Sequence, residues 1–299
     1  MTLAEDRIFD SERPAVDVYV AAAEGVVALD VAGDRVGTFE LAYRGAVEDV
    51  AATDESIAVA TPEDVLLGDR NGFERTGFGP AVAVGGDPLL AVDTDGRVHT
   101  RAEGWTRIGS IDGRIAAVDG DLLASSEGVY RRREDAIEYV GLDRVRDVST
   151  EAVPLAATAE GVFRLGAGWM AELEGDARVV AATEGMAGEG PVRAHAVTEA
   201  GLFEFASAGD GFSEGNWVER QVDAARSIVD IDYFESADSV DRSQSSAGND
   251  RSESTDGGTS VVAVTSDGVF LVDAGNGFRR RSLGVSDVVG LAVGGEENA

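Results

Sequence analysis

Short apolar stretches, each opened by an acidic or small residue and usually a glycine, recur along the chain. They are Glu24–Leu29 (EGVVAL), Glu63–Gly68 (EDVLLG), Asp95–Thr100 (DGRVHT), Glu127–Arg132 (EGVYRR), Glu160–Leu165 (EGVFRL), Ala200–Phe205 (AGLFEF) and Asp267–Val272 (DGVFLV). Their second position falls at Gly25, Asp64, Gly96, Gly128, Gly161, Gly201 and Gly268, in steps of 39, 32, 32, 33, 40 and 67 residues. Self-similarity at a few tens of residues is the signature of a repeat architecture. The acid–Gly pair predicts a tight hairpin turn, because glycine tolerates the positive φ that such turns need. An Ala- and Val-rich run precedes each turn, as in Leu89–Val92 and Val261–Val264. A bulky residue follows it at Phe73, Trp105, Ile137, Trp169, Trp217 and Phe278, and a Val-rich run then opens the next period. Each period therefore predicts four short strands and no helix. Four-stranded antiparallel units repeated radially make a β-propeller, here all-β and seven-bladed.

The two ends complement each other. Val16–Ala22 leads straight into the Glu24–Gly25 turn, so the first period lacks its opening strand. The last run, Val285–Val293 (VSDVVGLAV), resembles the opening strands Val47–Ala52 (VEDVAA) and Val145–Thr150 (VRDVST). The C-terminal strand is thus expected to complete the first blade, close the ring and remove an open sheet edge. Residues 1–299 read as one propeller domain. Within it, Glu235–Ser260 is a Ser-, Asp- and Gly-rich tract expected to be a disordered insertion of blade seven. Glu184–Arg193 and Ser207–Asn216 are read as smaller insertions in blade six. All three join strands one and two or strands three and four of a meander. They should decorate one face, opposite the regular turns.

Charge changes the picture of the surface. Asp and Glu number 56 against 25 basic residues, for a net charge of -31, and every basic side chain is arginine. Self-repulsion on this scale destabilises a compact state unless salt screens it. A halophilic, haloarchaeal cytoplasm is the expected setting. A phosphate-binding face needs clustered basic residues, so nucleic acid is not an expected partner. The start, MTLAEDRIFDSERP, lacks the basic and apolar regions of an export signal, and Ala15–Ala23 is too short to span a bilayer. A soluble, cytoplasmic protein without a membrane partner is expected.

Three blade texts carry a resemblance: Glu127–Leu142 (EGVYRRREDAIEYVGL), Glu160–Gly175 (EGVFRLGAGWMAELEG) and Asp267–Gly284 (DGVFLVDAGNGFRRRSLG). They resemble blades of BNR, sialidase-like and photosystem-assembly-factor-like propellers, and the whole chain resembles haloarchaeal propeller proteins. Those families often carry an Asp-box turn, of which only the Gly-Trp end remains here, at Glu103–Trp105, Ala167–Trp169 and Gly215–Trp217. The resemblance implies the fold. It does not imply sialidase chemistry, because the arginine triad and Tyr/Glu pair of that reaction have no matching positions.

Candidate chemistry is sparse. There is no cysteine, hence no thiol nucleophile or thiolate metal site. His99 is placed in a strand and His195 in an insertion, with no serine or carboxylate at a triad spacing. Asp93–Gly96 begins like a calcium loop but lacks its later ligands, and reads as a turn. Aligning the opening strands sets Asp49, Ala83, Ala117, Asp147, Ala181, Asp230 and Asp287 at one position. Asp230, Asp287 and Asp49 would then form an arc at one mouth of the central channel, with Asp147 across from it. Such an arc suits a hard cation or an arginine from a partner. The alternative is a set of carboxylates spent on backbone hydrogen bonds. The sequence reads as a non-enzymatic interaction scaffold for a protein partner, with no cofactor expected. The rival reading is a carboxylate- or metal-dependent hydrolase or lyase at the channel mouth. Oligomeric state is left open.

Overall fold

The computed structural model describes residues 15–184, 191–210, 212, 215–235 and 258–294. Its strands form seven four-stranded antiparallel sheets arranged as the blades of a propeller. Blade one consists of Val16–Ala22, Gly25–Ala32 and Arg35–Arg44 with Gly290–Val293 as its inner strand. The other inner strands are Asp49–Ala52, Ala81–Gly85, Ile115–Asp119, Val145–Ser149, Ala177–Thr183 and Ile228–Glu235, for blades two to seven. Each inner strand touches the next, and the strand of blade seven touches that of blade one, so the ring is closed.

Closure is made as expected. Gly290–Val293 pairs antiparallel with Val16–Ala22, setting Gly290 opposite Ala21 and Val293 opposite Val18. Both chain ends of the described region meet in one sheet, and the edge of Val16–Ala22 is not left bare.

Packing explains the residue pattern. Second strands such as Ile57–Ala60 and Leu155–Thr158 are buried throughout. They lie between two neighbouring blades and therefore read as continuous apolar runs rather than alternating ones. Small side chains such as Ala58, Ala60, Ala91, Ala124 and Ala156 share these strands with fully buried leucines such as Leu90, Leu122 and Leu155. Among the described residues the core divides into seven clusters, each joining two adjacent blades. The cluster across the closing seam combines Val18, Val20 and Leu29 of blade one with Val262, Val264 and Phe270 of blade seven, and includes Leu291. The recurrent tryptophans belong to this packing. Trp169 donates from Nε1 to the Val140 carbonyl of the preceding blade at 2.9 Å, and Trp105 stacks edge-on against Phe78. Outermost strands are exposed, as in Arg279–Ser282.

The turn positions behave as the repeat requires. Gly161 has φ +151°, and a Cβ there would come within 2.1 Å of the Leu173 carbonyl oxygen. In blade two Asp64 takes this place, and its carboxylate instead accepts the N–H groups of Gly77, Phe78 and Gly79. Asp93 likewise caps its own turn, accepting from the N–H of Asp95 and Arg97.

Two boundaries differ from expectation. Ser207–Asn216 is mostly an extended hairpin, Leu202–Asp210 with Gly215–Arg220, and Phe212 at its tip stacks on Phe205 at 3.9 Å. Burial of that aromatic pair draws the segment into the sheet. Strand two of blade six begins at Pro191, so Arg193 and His195 lie in a strand and not in an insertion. Most of the Glu235–Ser260 tract lies outside the described residues. Its flanks pair as neighbours, Glu235 opposite Thr259 and Tyr233 opposite Val261. Among the described residues no helix is long and apolar enough to cross a membrane.

Candidate functional site

Inner strands offer one edge to their own blade and the other to the channel, where backbone N–H groups have no strand partner. Aspartates satisfy them. Asp49 accepts the N–H of Val50 on one oxygen (2.9 Å) and that of Val84, in the next blade, on the other (3.0 Å). Asp147 bridges Val148 and Val180 in the same way, both at 2.8 Å. Asp230 bridges Ile231 and Leu291, again both at 2.8 Å. Each carboxylate therefore straps one inner strand to the next. A β-bulge just before this position in blades three to seven sets the side chain toward the channel.

Two residues further along, on the same face of the strand, a second tier repeats the device. Asp232 bridges the N–H groups of Tyr233 (2.7 Å) and Val293 (3.1 Å). Asp119 accepts from Thr150 N–H at 2.6 Å, and Ser149 Oγ accepts from Ala182 N–H at 3.0 Å. The closing strand is thus held to blade seven by two aspartates as well as by its own blade. Asp119, Ser149 and Asp232 were not singled out from the sequence. The signal was available as an i, i+2 companion to Asp147 and Asp230, but only in the texts DVS and DID.

Asp287 does not join them. Pairing of the last strand puts Gly290, not Asp287, at the aligned position, and Asp287 is an exposed loop residue with φ +50°. The expected alignment is out by three residues, because the loop before the last strand is longer than the text suggests. A Cβ on Gly290 would lie 3.1 Å from Asp230 Oδ2 and 3.9 Å from Asp49 Oδ1. Asp230 and Asp49 therefore do converge, on either side of that glycine. In blade six the aligned position is Val179, not Ala181, since the N–H that Asp147 reaches there is that of Val180.

A family model described as HVO_0234-like, beta propeller, matches residues 2–294. The chain belongs to the HVO_0234-like β-propeller family. No curated protein matches this family member's sequence. Among solved structures, it is similar to a functionally unknown protein from Desulfotomaculum acetoxidans DSM 771, at 9% identity and TM-score 0.61, covering 94% of this chain and 99% of that one. It is also similar to the WD40 β-propeller domain of Doa1, at 11% identity and TM-score 0.51, covering 90% and 92%. At these identities the likeness shows the fold alone.

In this HVO_0234-like propeller the channel is a cavity of about 280 Å3, lined by Asp49, Asp119, Asp147, Glu151, Asp230 and Asp232 among others. Burial pushes Asp49 and Asp230 up to about 7 and Asp232 to about 8, against the pull of their backbone hydrogen bonds. Burial and then the Asp230 charge raise Asp147 well above the carboxylate range. The carboxyls are therefore held as acids over much of the pH range in which a surface aspartate is charged. Beside the channel, His195 Nδ1 meets Tyr233 Oη at 2.7 Å, deep between blades six and seven. Burial drives His195 well below, and Tyr233 well above, their ordinary values, so both stay neutral and the pair serves as a packed polar link.

The channel opens on the face of the regular turns into a mouth of about 850 Å3. Ala116, Arg146, Arg178 and Val289 line both cavities and form the neck between them. Arg114 and Arg144 lie farther out on the same side, and Glu48, Val82 and Val289 on the other. Sequence reasoning did not find this arginine arc, because its members come from loops and strand starts of three blades.

Proposed function

We propose that the protein is a non-enzymatic interaction scaffold that receives a protein partner at the turn-face mouth of its channel. The observation that carries this reading is the mouth itself, an open cavity of about 850 Å3 whose wall combines Val82, Ile115, Val145 and Val289 with polar and charged side chains. That composition, apolar with a few convergent charges, suits recognition. The rigid ring presents it on short turns, which cost little ordering on binding. The rival reading needs free carboxylates for acid–base or metal chemistry. Asp49, Asp147 and Asp230 each commit both oxygens to backbone N–H groups. Among the described residues no group of three or more His, Asp or Glu is arranged to hold a metal ion. A halophilic cytoplasm remains the setting in which a net charge of -31 is best accommodated.

The test is capture of a partner from the source organism's extract in molar KCl. Val82→Trp with Val289→Trp fills the mouth, and Asp135→Trp places the same bulk on the opposite face. A partner lost by the mouth variant and kept by the other supports the reading. A partner that the mouth variant retains refutes it.

A further inference from the structure

We infer that the mouth recognises the acidic side chains of a partner's peptide segment through Arg114, Arg146 and Arg178. This rests on the mouth being the docking surface. The starting point is an anomaly of charge. The protein carries 56 acidic and 25 basic residues, yet four arginines, Arg114, Arg144, Arg146 and Arg178, line one side of a single cavity. On that cavity's wall only Glu48 and Asp93 are acidic.

The arginines differ in how far their charge is already answered. Arg144 is paired with Glu160, and Arg146 with Asp176. Arg178 donates only to the Arg226 carbonyl, at 2.8 Å, and has no carboxylate partner among the described residues. The Arg114 guanidinium has no hydrogen-bond or ion-pair partner among them. Other arginines without a carboxylate among the described residues, such as Arg35, Arg107 and Arg132, are scattered over outer strands and turns; Arg114 and Arg178 differ in sharing one cavity. Two such arginines in one concave wall, with Arg146 between, make a positive pocket on a negative protein.

Concavity gives that pocket its reach. Low-dielectric walls focus a field, and a direct guanidinium–carboxylate contact acts within the roughly 3 Å Debye length of molar salt, so the attraction survives where the fold does. Guanidinium groups present planar forks that match carboxylates in a bidentate fashion. The arginines start from adjacent blades, so several acidic groups on one segment can be met at once. The facing wall sets Val82 and Val289, the latter 44% exposed, beside Glu48, and the two valines suit the carbon stems of the same segment. A single inorganic anion would leave most of about 850 Å3 unfilled. Charge also sets the preference: basic groups are repelled by this arc, whereas glutamates and aspartates are drawn to it.

The experiment uses the whole protein in molar KCl and a fluorescein-labelled ten-residue peptide of Glu, Asp and Leu. Its Gln, Asn and Leu counterpart and inorganic phosphate serve as comparisons. The acidic peptide should bind, the neutral one should not, and Arg114→Ser with Arg178→Ser should weaken binding by roughly tenfold or more. Both side chains are exposed, so this variant should melt with the wild type. If it does not, Arg114→Ser alone supplies the measurement. Absence of binding, equal binding of the neutral peptide, or affinity unchanged by the serine variant overturns the inference. Displacement of the peptide by an equal concentration of phosphate also overturns it, since the site would then hold a lone oxyanion. Failure here is separable from failure of the docking reading. A partner that Val82→Trp with Val289→Trp releases but the serine variant keeps leaves the mouth as the docking surface and removes only its acidic preference.

Discussion

Replacing Asp230 by alanine tests whether the channel aspartates hold the ring together. The substitution removes the acceptor for two backbone N–H groups, Ile231 in blade seven and Leu291 in the closing strand, each held at 2.8 Å. A buried donor deprived of its acceptor costs about 1–3 kcal/mol. The channel is wide enough for water to answer part of that loss, which places each donor near the low end. Loss of about 2–3 kcal/mol in all is therefore expected. For a chain of this length that corresponds to a fall in Tm of roughly 3–5 °C. Asp230→Asn keeps an acceptor for one of the two N–H groups and sets its NH2 against the other, so it should recover only part of that loss and still cost about 1 kcal/mol. Asp287→Asn, at an exposed loop residue whose φ of +50° asparagine also tolerates, should stay within about 0.5 kcal/mol of the wild type. Differential scanning calorimetry of the three variants in molar KCl reads all of this. An alanine variant as stable as the wild type, or an Asp287 variant as damaged as the Asp230 one, would refute the strapping role.

The raised carboxyls have a pH signature. Folded Asp230 and Asp232 hold protons up to about 7 and about 8, whereas the unfolded groups release them near 3.8. Their contribution favours the folded state at low pH and is lost as pH rises from about 4 through 8. Stability should therefore decline across that window, and Asp232→Asn should flatten the decline; an unchanged slope would contradict it. Deleting 285–299 removes the strand that pairs with Val16–Ala22, and light scattering should report aggregation or unfolding, whereas a cooperative melt at the full-length temperature would show that the ring closes otherwise. Dilution from molar to tens of millimolar KCl should unfold the protein by circular dichroism, because a net charge of -31 is then unscreened, and equal stability at both ends would remove the case for salt adaptation.

How much of this was legible in the sequence follows from what is local. Strand alternation, the Gly turns and the apolar second strands are set by each residue's own backbone preference and burial, so the repeat, the blade count and the four-strand unit can be read directly. The missing first strand and the matching last one are equally legible, because they are a count of strands. Asp49, Asp147 and Asp230 fall at one position in the text and at one position in the ring. Register was not legible. Whether Asp287 or Gly290 meets Ala21 depends on how many residues the preceding loop takes up, and hydrogen bonding to a strand 270 residues away decides it. That the aspartates could be spent on backbone hydrogen bonds was legible as the alternative to a ligand site, but their partners were not, since Asp232 and Val293 meet only when the ring is shut. The arginine mouth is wholly a product of tertiary structure: Arg114, Arg146 and Arg178 are unremarked in three separate repeats, and radial symmetry alone brings them to one wall. Sequence determines what each blade is; closure of the ring determines what the blades present together.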